Sequence, residues 1–186
     1  MNHFSPDTYN KAWLFATLAH AGQSYGGHLP GLRIDYLNHI GSVAMETING
    51  LSHSTRPLDA DLAVQCAILH DTLEDTATTY EQLVQEFGQA VADGVQALTK
   101  REDLPGKAAK MQDSLDRIRQ QPHEVWMVKL ADRIANLYQP PHYWDNAKMQ
   151  AYVAEAQVIH DVLSPAHDFL AERLRAQIAG YPRFYR

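Results

Sequence analysis

Cysteine is almost absent from this sequence. Cys66 is the only one in 186 residues, so no internal disulfide can form, and a reducing, cytoplasmic setting is expected. No stretch approaches the roughly 18 consecutive apolar residues of a membrane span. The stretch Met1 to Asp7 has no basic segment followed by an apolar core, so no secretory leader is expected there. Positive charge is scarce as well. Lys and Arg number 16 against 22 Asp and Glu, a formal net charge of −6, which argues against a nucleic-acid polymer as partner. A small anionic substrate stays open, because a few local cations can outweigh the global charge. Alternating apolar and polar runs of useful length are missing, as are low-complexity tracts and fixed-period repeats, so neither strands nor a solenoid are expected.

What the sequence does have is helical periodicity and enough apolar material for a core, with 45% hydrophobic residues. The length fits one domain over residues 1–186. Ser5-Pro6-Asp7 reads as a helix start, with Ala12, Trp13, Phe15, Ala16 and Ala19 following at helical spacing. Tyr25 to Gly31 is dense in Gly and Pro and reads as a loop. A second helix is expected over about Asn38 to Asn49. A third, over about Asp61 to Glu74, is apolar nearly all round and belongs at the centre of a bundle. Thr78 to Glu81 has capping-box spacing ahead of a short helix closed by Gly88. Lys100 to Lys110 is polar and reads as a mobile loop. Helices are expected from Met111 towards Pro122, over Val125 to Leu137, over Asn146 to Leu163, and from Ser164-Pro165 to Gly180. The fold class is all-α, a single helical bundle. The sequence carries no signal for an oligomeric state.

Leu69-His70-Asp71-Thr72-Leu73-Glu74-Asp75 concentrates chemistry at the polar end of that apolar third helix. Four titratable groups in six residues are costly to bury without a partner, and a divalent cation is such a partner. Acids at a helix C-terminus oppose the macrodipole, so a frayed end gains nothing from them. Glu74 follows His70 by four residues and Asp71 by three, which places it over the same spot on a helix. Two other segments offer ligands: His39 at the start of the second helix and Asp132 on an otherwise apolar face. Each has a structural alternative, since His39 can cap or pack and Asp132 can pair with Lys129 or Arg133. Taken with His70 and Asp71 they make a two-His, two-carboxylate set, which suits Mn²⁺, Fe²⁺, Zn²⁺ or Co²⁺ better than Ca²⁺.

A lone His, then His-Asp, then a distant Asp resembles the order found in the HD superfamily of metal-dependent phosphohydrolases. Within it, three segments resemble the RelA/SpoT hydrolase domain: Tyr36-Leu37-Asn38-His39, Leu69 to Thr76, and Val128 to Leu137. Thr78 to Gly88, with its Phe-Gly, is similar to the segment that follows the HD motif. The resemblance covers roughly residues 10–160 and implies an HD-domain bundle. It implies that His39, His70, Asp71 and Asp132 bind one metal, usually Mn²⁺, and that Glu74 and Asp75 are the catalytic pair. Asn136 and Tyr152 match positions that contact the sugar and phosphates of a nucleotide. Lys100, Arg101, Lys107 and Lys110 lie where relatives carry a substrate-binding Lys. The reaction implied is removal of the 3′-pyrophosphate from ppGpp or pppGpp, leaving GDP or GTP. The length leaves no room for an appended synthetase domain, so the resemblance is to a stand-alone small alarmone hydrolase.

One departure bears on specificity. The family has a basic residue after the His of the first helix, where it packs on guanine, but this chain has His20-Ala21-Gly22-Gln23. Strong phosphate recognition and loose base recognition are therefore expected, with Tyr25 or His28 able to supply some stacking. Removal of the 2′-phosphate of NADPH, or action on ppApp, remains as an alternative activity. A metal- or nucleotide-binding module without turnover is a third reading, but it has no use for the Glu74-Asp75 pair. A purely structural bundle leaves the three matching segments unexplained.

Overall fold

The computed structural model describes residues 3–186; Met1 and Asn2, the first residues of the expected domain, lie outside the described residues. The chain begins with α1 (Pro6–Ala19), where the Ser5 hydroxyl accepts the Thr8 N–H and Pro6 opens the first turn. A short antiparallel hairpin follows, β1 (Ser24–Gly26) and β2 (Arg33–Asp35), in register Ser24 with Asp35 and Gly26 with Arg33. Then come α2 (Leu37–His53), α3 (Ala60–Leu69), α4 (Thr72–Asp75), α5 (Tyr80–Phe87), α6 (Gln89–Leu98), α7 (Gly106–Ile118), α8 (His123–Asn136), α9 (Asn146–Leu163) and α10 (Asp168–Gly180).

The central position expected for the third helix is observed. In α3 every residue but Asp61 and Gln65 is buried, and the helix packs against α1, α2, α6 and α8. Asp59 caps it by accepting the Leu62 N–H at 3.0 Å. Leu62, Val64, Cys66, Ile68 and Leu69 face neighbours on all sides. α8 is its partner in the core, burying Val125, Met127, Val128, Leu130, Ala131 and Ile134.

The structure departs from the sequence expectations in several places. Tyr25 lies in a hairpin, not a loop: Gly27 N–H bonds back to Leu32 O at 2.9 Å, and the turn takes its Gly residues from Gly26 to Gly31. Three-residue strands are too short to show alternation in sequence. The capping box sits one residue later than expected, with Thr79 as N-cap and Gln82 as its reciprocal partner. The second half of the expected 100–110 loop is helix, because α7 starts at Gly106 (φ +74°), directly after Pro105. Ser164-Pro165 opens only a 3₁₀ turn, Ser164–Ala166, and α10 starts at Asp168, where the His167 ring accepts the Leu170 N–H.

A buried polar knot ties the last helix to the bundle. Glu46, on the inner face of α2 and 4% exposed, accepts Arg173 Nε of α10 at 2.7 Å and the Tyr138 hydroxyl at 2.5 Å. Removing the cation leaves the carboxylate short of partners in a poorly solvated place. Arg173→Ala should therefore lower stability by about 2 kcal/mol, read as a drop in the thermal midpoint by circular dichroism. A Glu46→Gln/Arg173→Met double variant should recover most of the loss, because no unpaired charge remains.

Candidate metal centre and its cleft

The chain leaves helical geometry right after α3. Asp71 adopts φ −101°, ψ 0°, and the Thr72 hydroxyl donates to Leu69 O at 2.7 Å, taking up a carbonyl of the last turn. An unbroken helix to Glu74, as the sequence suggested, would hold the His70 and Asp71 side chains about 100° apart. The break folds them together, with His70 Nε2 and Asp71 Oδ2 at 2.9 Å. His70 Nδ1 lies 2.9 Å from Ala67 O. A carbonyl only accepts, so Nδ1 carries the hydrogen and Nε2 faces the cluster.

His39, in the first turn of α2, brings its Nε2 to 3.2 Å from His70 Nε2 and to 3.5 Å from both Asp71 Oδ2 and Asp132 Oδ1. Asp132 comes from α8. The donor atoms of His39, His70 and Asp132 lie within 4.8 Å of one another, and all three residues are buried. Asp132 does both things the sequence left open. Its Oδ2 pairs with Lys129 Nζ at 3.0 Å, while Oδ1 faces His39 and accepts Asn136 Nδ2 at 2.5 Å. Two imidazole nitrogens and two carboxylates converging in a buried place are a donor set that fits a divalent transition ion.

The electrostatics of the cluster show what holds it. Burial opposes a charge on His70, but Asp71, by charge and hydrogen bond, and then Asp132 overcome it and push its pKa up to about 9. Burial works against the Asp71 carboxylate too, yet His70 and His39 hold it well below the usual carboxylate range. Asp132 is likewise lowered against its burial by Lys129, His70 and His39.

Around this centre lie groups that the sequence did not assign. The Tyr36 hydroxyl sits between two carboxylates, 2.6 Å from Asp71 Oδ2 and 3.0 Å from Asp75 Oδ2. Its ring stacks on His20 at 4.9 Å, and Gln23 Nε2 donates to the Asp75 carbonyl at 2.6 Å. The Tyr36-x-x-His39 spacing within the matching segment was the available signal. Asp75 is raised above the usual range, first by desolvation and then by the Asp71 charge. Glu74 is engaged differently: its two oxygens accept the backbone N–H and the ammonium of Lys100, each at 2.9 Å.

His39, Asp71 and Asp132 open into a cleft of about 770 Å³. The expected substrate residues Lys100, Lys107, Asn136 and Tyr152 all line it, as do Lys110, Arg133 and Lys148. The Arg133 guanidinium lies 4.2 Å from the Tyr152 ring centre. Lys107 sits beside Lys148 and pushes the pKa of the Lys148 ammonium down. Glu102 and Glu155 share this lining, where they pair with Lys110 at 2.6 Å and Arg133 at 3.6 Å, so Lys107 and Lys148 are the cations of the cleft farthest from an acid partner. Arg101 is outside that lining, paired with Asp103 at 2.6 Å. Ala21 is exposed and does not line the cleft; Tyr25, Gly26, Gly27 and His28 do.

Comparison with known proteins gives a consistent picture. An HD domain family profile matches residues 12–174. The guanosine-3′,5′-bis(diphosphate) 3′-pyrophosphohydrolase MESH1 of Danio rerio is 34% identical over 144 residues, covering 75% of this chain and 77% of its own length. Its Xenopus tropicalis counterpart is 33% identical over 146 residues, covering 75% and 76%. Among solved structures, a metazoan ortholog of SpoT described as hydrolysing ppGpp superposes with TM-score 0.79 and 20% identity, over 95% of this chain and 97% of that one.

The raised His70 has a consequence for metal uptake. Below about pH 9 the metal-free cluster holds a proton on His70, and an entering cation must displace it. Affinity for a divalent ion, titrated as Mn²⁺, should rise about tenfold per pH unit between roughly pH 6 and 8 and level off above the His70 pKa. Calorimetry in buffers of different ionisation enthalpy should read close to one proton released. Asp71→Ala and Asp132→Ala should each lose the ion. An affinity independent of pH would mean that His70 is neutral in the free site.

Proposed function

Because the chain belongs to the HD domain family, we propose that it hydrolyses the 3′-pyrophosphate of ppGpp and pppGpp, leaving GDP or GTP, as a cytoplasmic single-domain enzyme that uses Mn²⁺. The observation that carries this reading is the convergence of His39, His70, Asp71 and Asp132 at the edge of a cleft with lysines in its wall, with Asp75 beside them. The pyrophosphohydrolase names of the curated relatives support the substrate.

His39, His70, Asp71 and Asp132 would hold the ion. When bound, such an ion acidifies water from a pKa of about 15.7 towards 7 and neutralises charge on a phosphoryl group. The protein's own groups do the rest. Asp75 accepts the proton of the attacking water. Its upward-shifted pKa brings it nearer the working pH, which favours a general base. Tyr36 fixes the direction of that carboxylate relative to Asp71. Glu74 is turned to a different partner, each of its oxygens accepting one hydrogen bond from Lys100. It places the Lys100 ammonium at the cleft, where the charge of the pyrophosphate is met. Lys107 and Lys148 extend that positive field, and we assign Asn136 and Tyr152, which also line the cleft, to the ribose and its phosphates. Water then displaces the ribose O3′ at the phosphorus bonded to it, the P–O3′ bond breaks, O3′ takes back the proton held by Asp75, and pyrophosphate departs.

The test of substrate is pyrophosphate release from ppGpp compared with phosphate release from NADPH, at fixed Mn²⁺. Turnover of NADPH without ppGpp would replace this reading by the 2′-phosphatase one. The two acids should also separate. Asp75→Asn should lower kcat by roughly 10²-fold or more with little change in KM, as when a positioned base is removed. Glu74→Gln, by loosening Lys100, should act more on KM. Steady-state kinetics with metal content measured in parallel distinguishes the two. Near-normal turnover in both variants would leave neither acid a catalytic role.

A further inference from the structure

We propose that Tyr143 is the base-stacking residue of this cleft and that it accepts guanine and adenine alike; this rests on the nucleotide reading of the site. Lys100, Lys107 and Lys148 are the groups that would meet a pyrophosphate and further phosphates, and the base needs a wall of another kind. Besides Tyr36, which bridges Asp71 and Asp75, the aromatic side chains lining the cleft are Tyr25, Tyr138, Tyr143, Trp144 and Tyr152. Four of these five are already engaged by other groups. Tyr25 accepts Asn38 Nδ2 at 2.8 Å and meets Tyr36 edge-on. Tyr138 is bound into the Glu46–Arg173 knot. Tyr152 is covered by Arg133 on its face and packs edge-on against Trp144, which in turn lies under Lys148.

Tyr143 differs from all four. It is 64% exposed, its only ring partner is the neighbouring His142 met edge-on at 5.3 Å, and its hydroxyl has no partner among the described residues. It is nonetheless firmly mounted. His142 N–H donates to Gly27 O at 3.0 Å, fastening the α8–α9 connection to the hairpin. The ring also lies so close to Gly26 that a Cβ there would sit 2.8 Å from Tyr143 Cε1. Gly26 is thus the seat of the ring, and it explains a glycine in a strand position. A large aromatic surface, fixed on one side and open on the other, loses little freedom when a planar ligand stacks on it. Stacking reads the face of a base and not its edge, so it tolerates either purine.

The experiment uses the full chain loaded with Mn²⁺. Tyr143→Ala should raise KM for ppGpp about tenfold, as expected for one lost base–aromatic stack, while kcat holds. Tyr143→Phe should behave as the wild type, since the hydroxyl is not used. Gly26→Val should unseat the ring and move KM in the same direction as Tyr143→Ala. For the wild type, kcat/KM for ppGpp and ppApp should agree within about tenfold, and Tyr143→Ala should lower both alike. Calorimetric binding of GDP, which carries the base without the 3′-pyrophosphate, gives a readout apart from turnover and should weaken about tenfold in Tyr143→Ala. Absence of ppGpp hydrolysis with GDP binding still sensitive to Tyr143 would defeat the activity and keep the stacking site. Unchanged GDP binding in Tyr143→Ala, the loss appearing in His28→Ala in its place, or discrimination between ppGpp and ppApp by several orders of magnitude would overturn the proposal.

Discussion

Two imidazoles and two carboxylates are gathered where three core helices meet, and that is the constraint on which the rest of the molecule depends. Their mutual distances, 2.9 to 3.9 Å where nitrogen meets oxygen, would be repulsive among like groups and are tolerable only as a set of opposite charges sharing protons or a cation. The helix packing serves this arrangement. α3 is apolar on every side so that its C-terminal end can be driven deep into the bundle, and it stops at Leu69 so that the next two side chains turn towards one point. α8 reaches the same point from the other side, with Lys129 and Asn136 one turn before and after Asp132 to hold its carboxylate in place.

The division of charge follows from the same constraint. Asp71, Asp75 and Asp132 lie together at the candidate metal centre, while the rest of the cleft mixes Lys and Arg with Glu102 and Glu155, an arrangement that the chain-wide net charge of −6 does not reveal. The pairing of Glu74 with Lys100 marks the boundary between the two regions. It holds an ammonium group beside the acidic end, and both oxygens of one of the two adjacent acids accept from that lysine. Asp75, bonded to Tyr36 and held upward by Asp71, is left as the acid able to exchange a proton.

Much of this was legible in the sequence, and the failures have physical causes. Helix existence followed from periodicity: the α9 boundaries match the expected Asn146 to Leu163, and the central place of α3 follows from its apolar circumference. The four expected ligands were singled out because chemistry confined them to short, ordered segments, and the structure brings their side chains together with Asp75 beside them. The break at Asp71 was not legible, since a single residue leaving the α region carries no compositional mark. The Gly26–Tyr143 contact joins residues more than a hundred positions apart, and neither periodicity nor a local motif encodes it. The Glu74–Lys100 pair was hidden for a similar reason: helical spacing places Glu74 over the metal site, but only the path of the chain after α6 shows which cation reaches it first.

The four residues that would hold a metal are also widely separated along the chain, at positions 39, 70, 71 and 132. As a polymer the protein is therefore a chain with two long loops, from α2 to the end of α3 and from there to α8, whose ends meet at one point. An ion bound there acts as a reversible cross-link between segments that are neighbours only in the folded state. Bound to the folded state alone, it favours that state, whereas a disulfide works by restricting the unfolded chain, a route closed to a chain with one cysteine. Because the ion binds the assembled cluster and not the open chain, its free concentration sets part of the folding equilibrium by mass action. The candidate site and the stability of the bundle thus draw on the same few atoms, and scarcity of the metal would withdraw that increment of stability.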